Sequence, residues 1–378
     1  MLIQQDRLAA FVAEIFIAAG AQAQVAREVA DHLVEANLKG HDSHGVGMTP
    51  IYVHNIRGGR CNVDAHAKTL VDRGAVLLFD GQLGFGQVVG REATDSAVAR
   101  VRETGVVCAG VRNCHHLGRI GAYGERCGAA GLVSVHFVNV VGHPPAVAPW
   151  GSGERRMTTN PFCAVTPQPD GPPIVLDMAT SAVALGKVRV AHMKGEAVDE
   201  GVLVDHEGRP TTDPAVMFDA PFGALGPFGK HKGYGLAVMC ELLGGALAGT
   251  WTAQPGNERN NNVVNHMLMF VLDPAVFGGV EAFQSEVREM VAYLRSAVPG
   301  PGFDRVRVPG EPELERAAAR RADGIPIDGN SWRELLKAAS VAGLSEKRIS
   351  ELIEGALSRG ARGGTPRMKE PYWTSPRT

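Results

Sequence analysis

Apolar residues recur at helical spacing near the start of the chain. In residues 6–19 and 22–39 they fall three and four positions apart, as one buried face of a helix requires. Gly40 ends the second of these predicted helices, and Pro50 opens a short third one. The sequence therefore predicts a helical N-terminal segment, which we place at residues 1–75.

From about Ala75 the pattern changes to short apolar runs separated by glycine turns and helical stretches. Alternation of this kind predicts an α/β layer architecture, which we place at residues 76–300. Strands are predicted at 76–79, 106–109, 132–137, 161–165, 174–177 and 267–272. Helices are predicted at 92–101, 119–130, 235–247 and 285–294.

Helical periodicity returns near the end of the chain, at residues 313–321 and 331–342. A C-terminal helical segment is therefore predicted at 301–358. Residues 359–378 are rich in Gly, Pro and Arg, a composition typical of a mobile tail.

Composition narrows the function to small-molecule chemistry. The formal net charge is -2, with 44% hydrophobic and 21% charged residues, so no nucleic-acid or membrane partner is expected. There is no signal-peptide pattern and no apolar run of the ~18 residues that a membrane span needs. The six cysteines form no Cys-x-x-Cys pair, which argues against structural zinc and disulfides. We expect a soluble, cytoplasmic protein.

The most reactive stretch is His41-Asp42-Ser43-His44-Gly45, at the end of the second predicted helix. An imidazole titrates near neutral pH, so His44 suits proton transfer. Ser43 or Asp42 is expected to orient its ring.

A glycine-rich run from Gly81 to Gly90 follows a predicted strand. Its spacing from Gly84 is Gly-x-Gly-x-x-x-Gly, one residue longer than the dinucleotide-binding fingerprint. We interpret it as a structural turn and not as a Rossmann site.

A second histidine cluster lies in Asn113 to Gly121, directly after a strand. Four histidines, His41, His44, His115 and His116, are the candidates for a zinc site, but no metal-ligand spacing is present. A nucleophilic Cys114 is disfavoured, because adjacent side chains on a strand point to opposite faces. No metal site is predicted.

Two further segments are candidates for anion binding or for simple capping. The run Gly226 to Gly235 holds two lysines and a histidine before an apolar helix, so it is either a pyrophosphate cradle or a solvated loop. Asp177 to Ser181 follows a strand and is either a ligand contact or a helix N-cap.

Together these motifs resemble the type 2 malate/L-lactate dehydrogenase family, and within it the hydroxycarboxylate dehydrogenase B branch. The resemblance covers nearly the whole chain in order. It rests on His41-Asp42-Ser43-His44-Gly45, Asn113 to Gly121, Thr159-Asn160-Pro161-Phe162, Asp177-Met178-Ala179-Thr180-Ser181, Gly186-Lys187-Val188, His231-Lys232-Gly233-Tyr234 and Pro309-Gly310-Glu311.

The resemblance implies a non-Rossmann, sulfolactate dehydrogenase-like α/β fold with a mixed sheet. Its helical N- and C-terminal segments would pack together, and residues 76–300 would form the cofactor-binding region. It also implies NAD or NADP as cofactor, a 2-oxo or 2-hydroxy acid as substrate, and a homodimer.

The resemblance also implies roles for individual residues. The catalytic residues would be His44, Ser43 and His116, with His44 as the acid/base. The substrate would contact Arg119, Met48 and Asn160. The cofactor would contact His44, Gly118, Arg119, Ile120, Asp177, Met178, Ala179, Thr180, Ser181, His231, Lys232, Asn265, Gly310 and Glu311.

Two positions depart from family patterns. Many members have Arg where this chain has Met48, which disfavours a small dicarboxylate substrate. Lys187 replaces the Asp of the imine-reducing branch. The alternatives are a malate/lactate or ureidoglycolate dehydrogenase or an imino-acid reductase within the family, and outside it a metal-assisted hydrolase or a silent binding protein.

Overall fold

The computed structural model describes residues 1–357, so the predicted tail at 359–378 lies outside the described residues. The N-terminal helices form as predicted, with small shifts at their ends. In chain order the first elements are β1 (Leu2–Ile3), α1 (Gln5–Ala18), α2 (Ala23–Leu38), two 3₁₀ turns (Asp42–His44 and Val46–Met48) and α3 (Thr49–Arg57).

The central region alternates strands and helices. Its first part comprises β2 (Lys68–Arg73), β3 (Val76–Asp80), α4 (Gly86–Thr104), β4 (Val106–His115), α5 (Gly121–Ala129), β5 (Val133–Val141), β6 (Phe162–Thr166) and β7 (Ile174–Met178). Its second part comprises α6 (Leu185–Lys194), β8 (Leu203–Val204), β9 (Pro210–Thr211), β10 (Ala224–Leu225), α7 (His231–Cys240), a π-helix (Glu241–Gly249), β11 (Val264–Leu272) and α8 (Val280–Arg295). The chain continues with α9 (Glu311–Asp323), β12 (Ile325–Pro326), α10 (Gly329–Ala342) and α11 (Glu346–Leu357).

Seven strands form one mixed sheet in the order β2-β3-β4-β11-β5-β6-β7. Only β3 and β4 pair in parallel; every other neighbouring pair is antiparallel. The predicted mixed α/β sheet is therefore confirmed, and it differs from a doubly wound parallel sheet. The late strand β11 lies between β4 and β5, which brings Asn265 beside Cys114.

Both ends of the chain contribute to one apolar core. Strand β1 pairs antiparallel with β12. Phe11 and Phe16 of α1, Leu33 of α2 and Trp332 and Leu335 of α10 are buried in the same cluster. Burying these side chains together holds α9, α10 and the helices before residue 57 on one side of the sheet.

Among the elements that differ from the sequence prediction, three have a visible reason. Strand β2 is an edge strand whose residues are mostly exposed, so it has no apolar alternation to detect. Helix α6 buries only Val188 completely, so it has no apolar face. The helix predicted at 235–247 begins earlier, at His231, and widens into a π-helix at Glu241.

The widened turn has a packing function. Gly244 lies against the backbone of β5, where an added Cβ would stand 2.6 Å from the carbonyl oxygen of Phe137. Gly245 is equally close to Asn139 and Trp251. The two glycines let the π-helix press onto the sheet, which side chains would prevent.

No helix within residues 1–357 has an apolar stretch long enough to cross a membrane.

Candidate active site

The His44 loop is fixed from two sides. Helix α2 ends beside Gly40, whose φ of +84° turns the chain toward His41. The Asn37 amide then bonds the Asp42 carboxylate (2.6 Å) and the Val46 N–H (2.8 Å). From the C-terminal segment, Arg320 binds both oxygens of Asp42 at 2.7 and 3.0 Å. The His44 loop is therefore held by both α2 and α9.

His44 stacks on His116 where the N-terminal helical segment meets the end of β4. The two ring centroids lie 5.2 Å apart at 16°, and His44 Nδ1 is 3.2 Å from His116 Nε2. His116 directly follows β4, and the carbonyls of His115 and His116 pack on Gly86 so closely that a Cβ there would clash. The two histidine motifs therefore meet in a defined geometry.

Burial keeps both rings neutral at pH 7. It lowers the pKa of His44 to about 4, against a weaker opposite effect of the Asp177 carboxylate. The pKa of His116 lies well below its usual value, mainly through burial and then through the neighbouring His44. A neutral imidazole can accept a proton from a hydroxyl group, as a general base must.

His116 is oriented by two residues that sequence analysis did not single out. The Tyr52 hydroxyl lies 2.7 Å from His116 Nδ1, and the Gln87 amide nitrogen donates to that hydroxyl at 2.8 Å. Both side chains are buried. Gln87, Tyr52, His116 and His44 therefore form a continuous hydrogen-bonded chain, which we call the His44 relay.

The relay admits two hydrogen patterns. When Gln87 Nε2 donates to Tyr52, the hydroxyl donates to His116 Nδ1, and the hydrogen of His44 lies on Nε2. When the amide is turned over, every bond reverses and Nε2 of His44 has a free lone pair. The second pattern suits proton abstraction.

Ser43 and Asp42 do not orient His44 as expected from the sequence. Asp42 is bound by Asn37 and Arg320, and Ser43 is exposed on the loop. The neighbour that binds the ring is His116, 72 positions away in sequence. Ser43 lies next to His44 in sequence, and its role as a catalytic residue stays a prediction.

The Tyr52→Phe variant is expected to lower kcat about 10-fold, because it leaves His116 Nδ1 without its hydroxyl partner. The pH dependence of kcat should also change, which simple loss of packing would not cause. Tyr123→Phe is the matched control, since its buried hydroxyl bonds the carbonyl of Leu117 at 2.5 Å and does not contact His116. Equal kcat and pH profiles for the two variants would contradict the relay.

The other members of the second histidine cluster point elsewhere. His115 Nε2 meets the Asn55 amide at 2.9 Å, inside the protein. Cys114 is fully buried, and burial raises the pKa of its thiol, so it is not a nucleophile. Within residues 1–357 no group of three or more potential ligands is arranged to hold a metal ion.

Arg119 is not free to hold a substrate carboxylate, which corrects the expectation from the sequence. The side chain is 2% exposed, and its guanidinium forms two bonds with Glu125 at 3.0 and 2.6 Å. Asp177 is a further neighbour at 3.8 Å. Breaking a buried, bidentate ion pair costs several kcal/mol, so we assign Arg119 a positioning role. Its backbone N–H also bonds His32 Nε2 at 3.1 Å.

Several other expected contacts have their polar atoms bound within the protein. The Asn160 amide bonds Glu241 at 2.7 Å, and Asn265 bonds the Leu117 N–H at 2.8 Å and the Asn139 carbonyl at 3.0 Å. The Thr180 and Ser181 hydroxyls donate to backbone carbonyls, and Ile120 lies in the core. These side chains are buried, so their geometry supports positioning roles and not direct ligand contact.

Gly118 has φ of +75°, and an added Cβ would meet His32 and Gln87. This position therefore requires glycine. Asp177 accepts the Gly121 N–H at 2.8 Å, and burial raises the pKa of its carboxyl. Met48 is partly buried against the N-terminal core.

Met178, Ala179 and the loop from Gly229 to Lys232 form one surface, which we call the dinucleotide face. The Phe228 N–H bonds the Thr180 carbonyl, so the strand end at Met178 and Ala179 lies beside the loop before α7. Gly229 and Lys230 both have a positive φ. His231 and Lys232 are exposed at the start of α7. An exposed helix N-terminus flanked by lysines suits a diphosphate.

Gly310 and Glu311 lie at the start of α9, against β7. Gly310 has φ of +94°, and its nearest neighbour is Val175. The Glu311 carboxylate caps the helix by accepting the Val308 N–H at 2.8 Å and also binds Arg295. Whether either residue contacts a cofactor stays a prediction.

Comparison with known proteins identifies relatives along nearly the whole chain. The model of the family described as malate/L-lactate dehydrogenase matches residues 3–336. Hydroxycarboxylate dehydrogenase B of Escherichia coli K12 is 42% identical, over 93% of this chain and 97% of its own. L-lactate dehydrogenase of Cupriavidus necator is 43% identical, over 86% of this chain and 93% of its own.

The fold has a close counterpart among solved structures. The structure of a putative malate/lactate dehydrogenase from E. coli superimposes with a TM-score of 0.90 at 40% identity. It covers 94% of this chain and 99% of that one.

Proposed function

The chain belongs to the malate/L-lactate dehydrogenase family, and from that premise we propose that it reduces 2-oxo acids with bulky apolar side chains, with His44 as the acid/base. It is an oxidoreductase that interconverts 2-hydroxy and 2-oxo acids with a nicotinamide cofactor. The observation that carries our assignment of the acid/base is the His44 relay, which ends on the half-buried imidazole of His44.

Proton transfer is the task of this chain's own residues. In the oxidation direction His44 Nε2 takes the proton of the substrate hydroxyl, while Nδ1 donates to His116 Nε2. In this pattern His116 Nδ1 donates to the Tyr52 hydroxyl, which donates to the Gln87 side chain. In the reduction direction the imidazolium returns the proton to the oxygen of the 2-oxo acid. The bound nicotinamide supplies or receives the hydride at its C4.

We propose that the dinucleotide face is the binding site of the cofactor. The diphosphate would lie at the N-terminus of α7, near Lys232, with the strand end at Met178 and Ala179 alongside. The cofactor is NAD or NADP. The N–H groups at the start of α7 and the Lys232 ammonium suit the diphosphate, which NAD and NADP share.

Lys232→Ala is expected to raise KM for the dinucleotide by ~10-fold and to leave KM for the 2-oxo acid nearly unchanged, because a lysine there meets a phosphate. The difference between wild type and variant should shrink with added salt. Lys194→Ala, on an exposed lysine of α6, is the control. A change confined to the KM of the oxo acid would move Lys232 to the substrate site. The measurement is initial-rate kinetics with NADH and NADPH.

The substrate assignment rests on Met48 and Arg119. Met48 offers a neutral thioether beside the His44 loop, and Arg119 is committed to Glu125. A site without a free guanidinium at these positions favours a compliant contact with an apolar side chain. The test is a panel of aliphatic, acidic and aromatic 2-oxo acids, with loss of NADH or NADPH absorbance as readout.

The same assay separates the remaining alternatives. A metal-assisted hydrolase would lose activity with a chelator, whereas hydride transfer through His44 should be unaffected. An imino-acid reductase would turn over cyclic imines faster than 2-oxo acids. Lys187 lies in the first turn of α6, where the imine-reducing pattern has Asp.

We also propose a cytoplasmic homodimer. All six cysteines are free thiols, as is usual in a reducing compartment. Met239, Leu242 and Leu247 are 44%, 49% and 65% exposed along α7 and the π-helix. Pairing of two copies through this apolar face would bury them. Sedimentation analysis measures the oligomeric state.

A further inference from the structure

A cavity of about 440 Å³ lies between α1, α2, α4 and α5, apart from the dinucleotide face. Its walls include Gln5, Asp6, His32, Glu35, Gln87 and Arg321, and we call it the α1–α2 cavity. None of the residues at the dinucleotide face lines it. Its floor, formed by His32 and Gln87, adjoins the active site, because both side chains flank Gly118.

The floor offers one acceptor and one donor without protein partners. Gln87 is 1% exposed, and its Oε1 has no hydrogen-bond partner. The His32 ring accepts the Arg119 N–H at Nε2, and burial lowers its pKa to about 3, so its single hydrogen lies on Nδ1. A buried polar atom without a partner is costly, which points to a ligand that satisfies it.

The charges of the wall are paired, with two exceptions. Glu28 binds Arg91 at 2.5 Å, Asp31 binds Arg27 at 2.8 Å, and Glu35 binds Lys39 at 2.7 Å. By contrast, neither Asp6 nor Arg321 forms a hydrogen bond or an ion pair with another residue in the described part of the chain. Arg27 acts on Asp6, and Glu35 on Arg321, only through space. One carboxylate and one guanidinium thus remain available to a ligand, on α1 and α9.

We propose that the α1–α2 cavity is a regulatory site for a small zwitterion of the 2-amino acid type. Asp6 binds the ammonium group and Arg321 the carboxylate, and donor hydrogens of the ligand satisfy Gln87 Oε1. A zwitterion matches one free charge of each sign, whereas a dianion or a simple amine leaves one of them unpaired. The 2-amino acid is also the aminated counterpart of a 2-oxo acid.

Gln87 connects this site to catalysis. A ligand that donates to Oε1 holds the amide with Nε2 toward Tyr52, at the observed 2.8 Å. That orientation keeps the hydrogen of His44 on Nε2 and opposes the reversed pattern, in which Nε2 is free to take a proton. Occupancy of the cavity therefore lowers kcat for oxidation of the 2-hydroxy acid and leaves the KM of that substrate unchanged. This effect rests on the proposed role of His44, whereas binding does not.

The test measures binding and turnover separately. The common L-amino acids, with ethylamine and propionate as single-charge probes, are titrated into the full chain by calorimetry and by thermal shift. We expect at least one amino acid to bind, and Asp6→Asn and Arg321→Gln each to weaken it at least ~10-fold. Both residues are exposed, so the variants should fold and keep wild-type kcat without ligand. Glu289→Gln, an exposed carboxylate on α8, is the control.

Three outcomes would overturn the proposal. One is that no amino acid binds. Another is binding that Asp6→Asn and Arg321→Gln leave unchanged, because the ligand then lies elsewhere. The third is inhibition of oxidation that excess 2-hydroxy acid relieves, because the ligand then competes for the active site. Failure of the function proposed above looks different, because hydride transfer would then be absent in wild type before any amino acid is added.

Discussion

The His44→Asn variant is expected to lose ~10²- to 10⁴-fold in kcat while it folds normally and still binds the dinucleotide. Asparagine preserves polarity and approximate size but cannot take a proton from the substrate hydroxyl. The loop itself is held by Asn37, Asp42 and Arg320, so its position does not depend on the ring. Initial rates in both directions, with the melting temperature as a measure of folding, provide the result.

His41→Asn is the matched control in the same loop, because no hydrogen bond joins its ring to His116 among residues 1–357. Its kcat should stay within a few-fold of wild type. An unchanged kcat in folded His44→Asn protein would remove the acid/base assignment.

The pH profile tests the direction of the pKa shift, because burial lowers the pKa of His44 to about 4. The free enzyme needs the neutral ring for oxidation, so kcat/KM for the hydroxy acid should persist below pH 6 and fall only as pH approaches that pKa.

Met48→Arg is expected to reverse the substrate preference. A guanidinium beside the His44 loop would give a dicarboxylate a charge-assisted contact of ~1.5–3 kcal/mol, or roughly 10- to 100-fold in kcat/KM. The same change removes the thioether surface from an aromatic side chain. The ratio of kcat/KM for phenylpyruvate to that for oxaloacetate should therefore fall in the variant.

Met290→Arg adds the same charge at an exposed position on α8 and should leave the ratio unchanged. If wild type already prefers oxaloacetate to every aromatic 2-oxo acid, the specificity argument built on Met48 fails. A cation other than Arg119 would then supply the contact, because Arg119 is bound to Glu125.

Local patterns were sufficient for most elements and for the two histidine motifs. The apolar spacing before Gly40 defines α2, and six of the seven strands of the large sheet were predicted, although β4 runs to His115, six residues past its predicted end. The resemblance carried by the ordered motifs predicted the family, which the match over residues 3–336 confirms. Elements without a buried apolar face, such as β2 and α6, left no such pattern.

Partner choice among polar side chains was decided by the tertiary structure. The sequence determined that the His44 loop follows a helix and that His116 follows a strand, because both facts depend on neighbours along the chain. It could not show that Tyr52 and Gln87 complete the relay, or that Glu125 occupies Arg119. Those contacts join residues that only the packing of α3, α4 and β4 brings together, and a hydrogen bond between distant side chains leaves no periodic trace in a sequence.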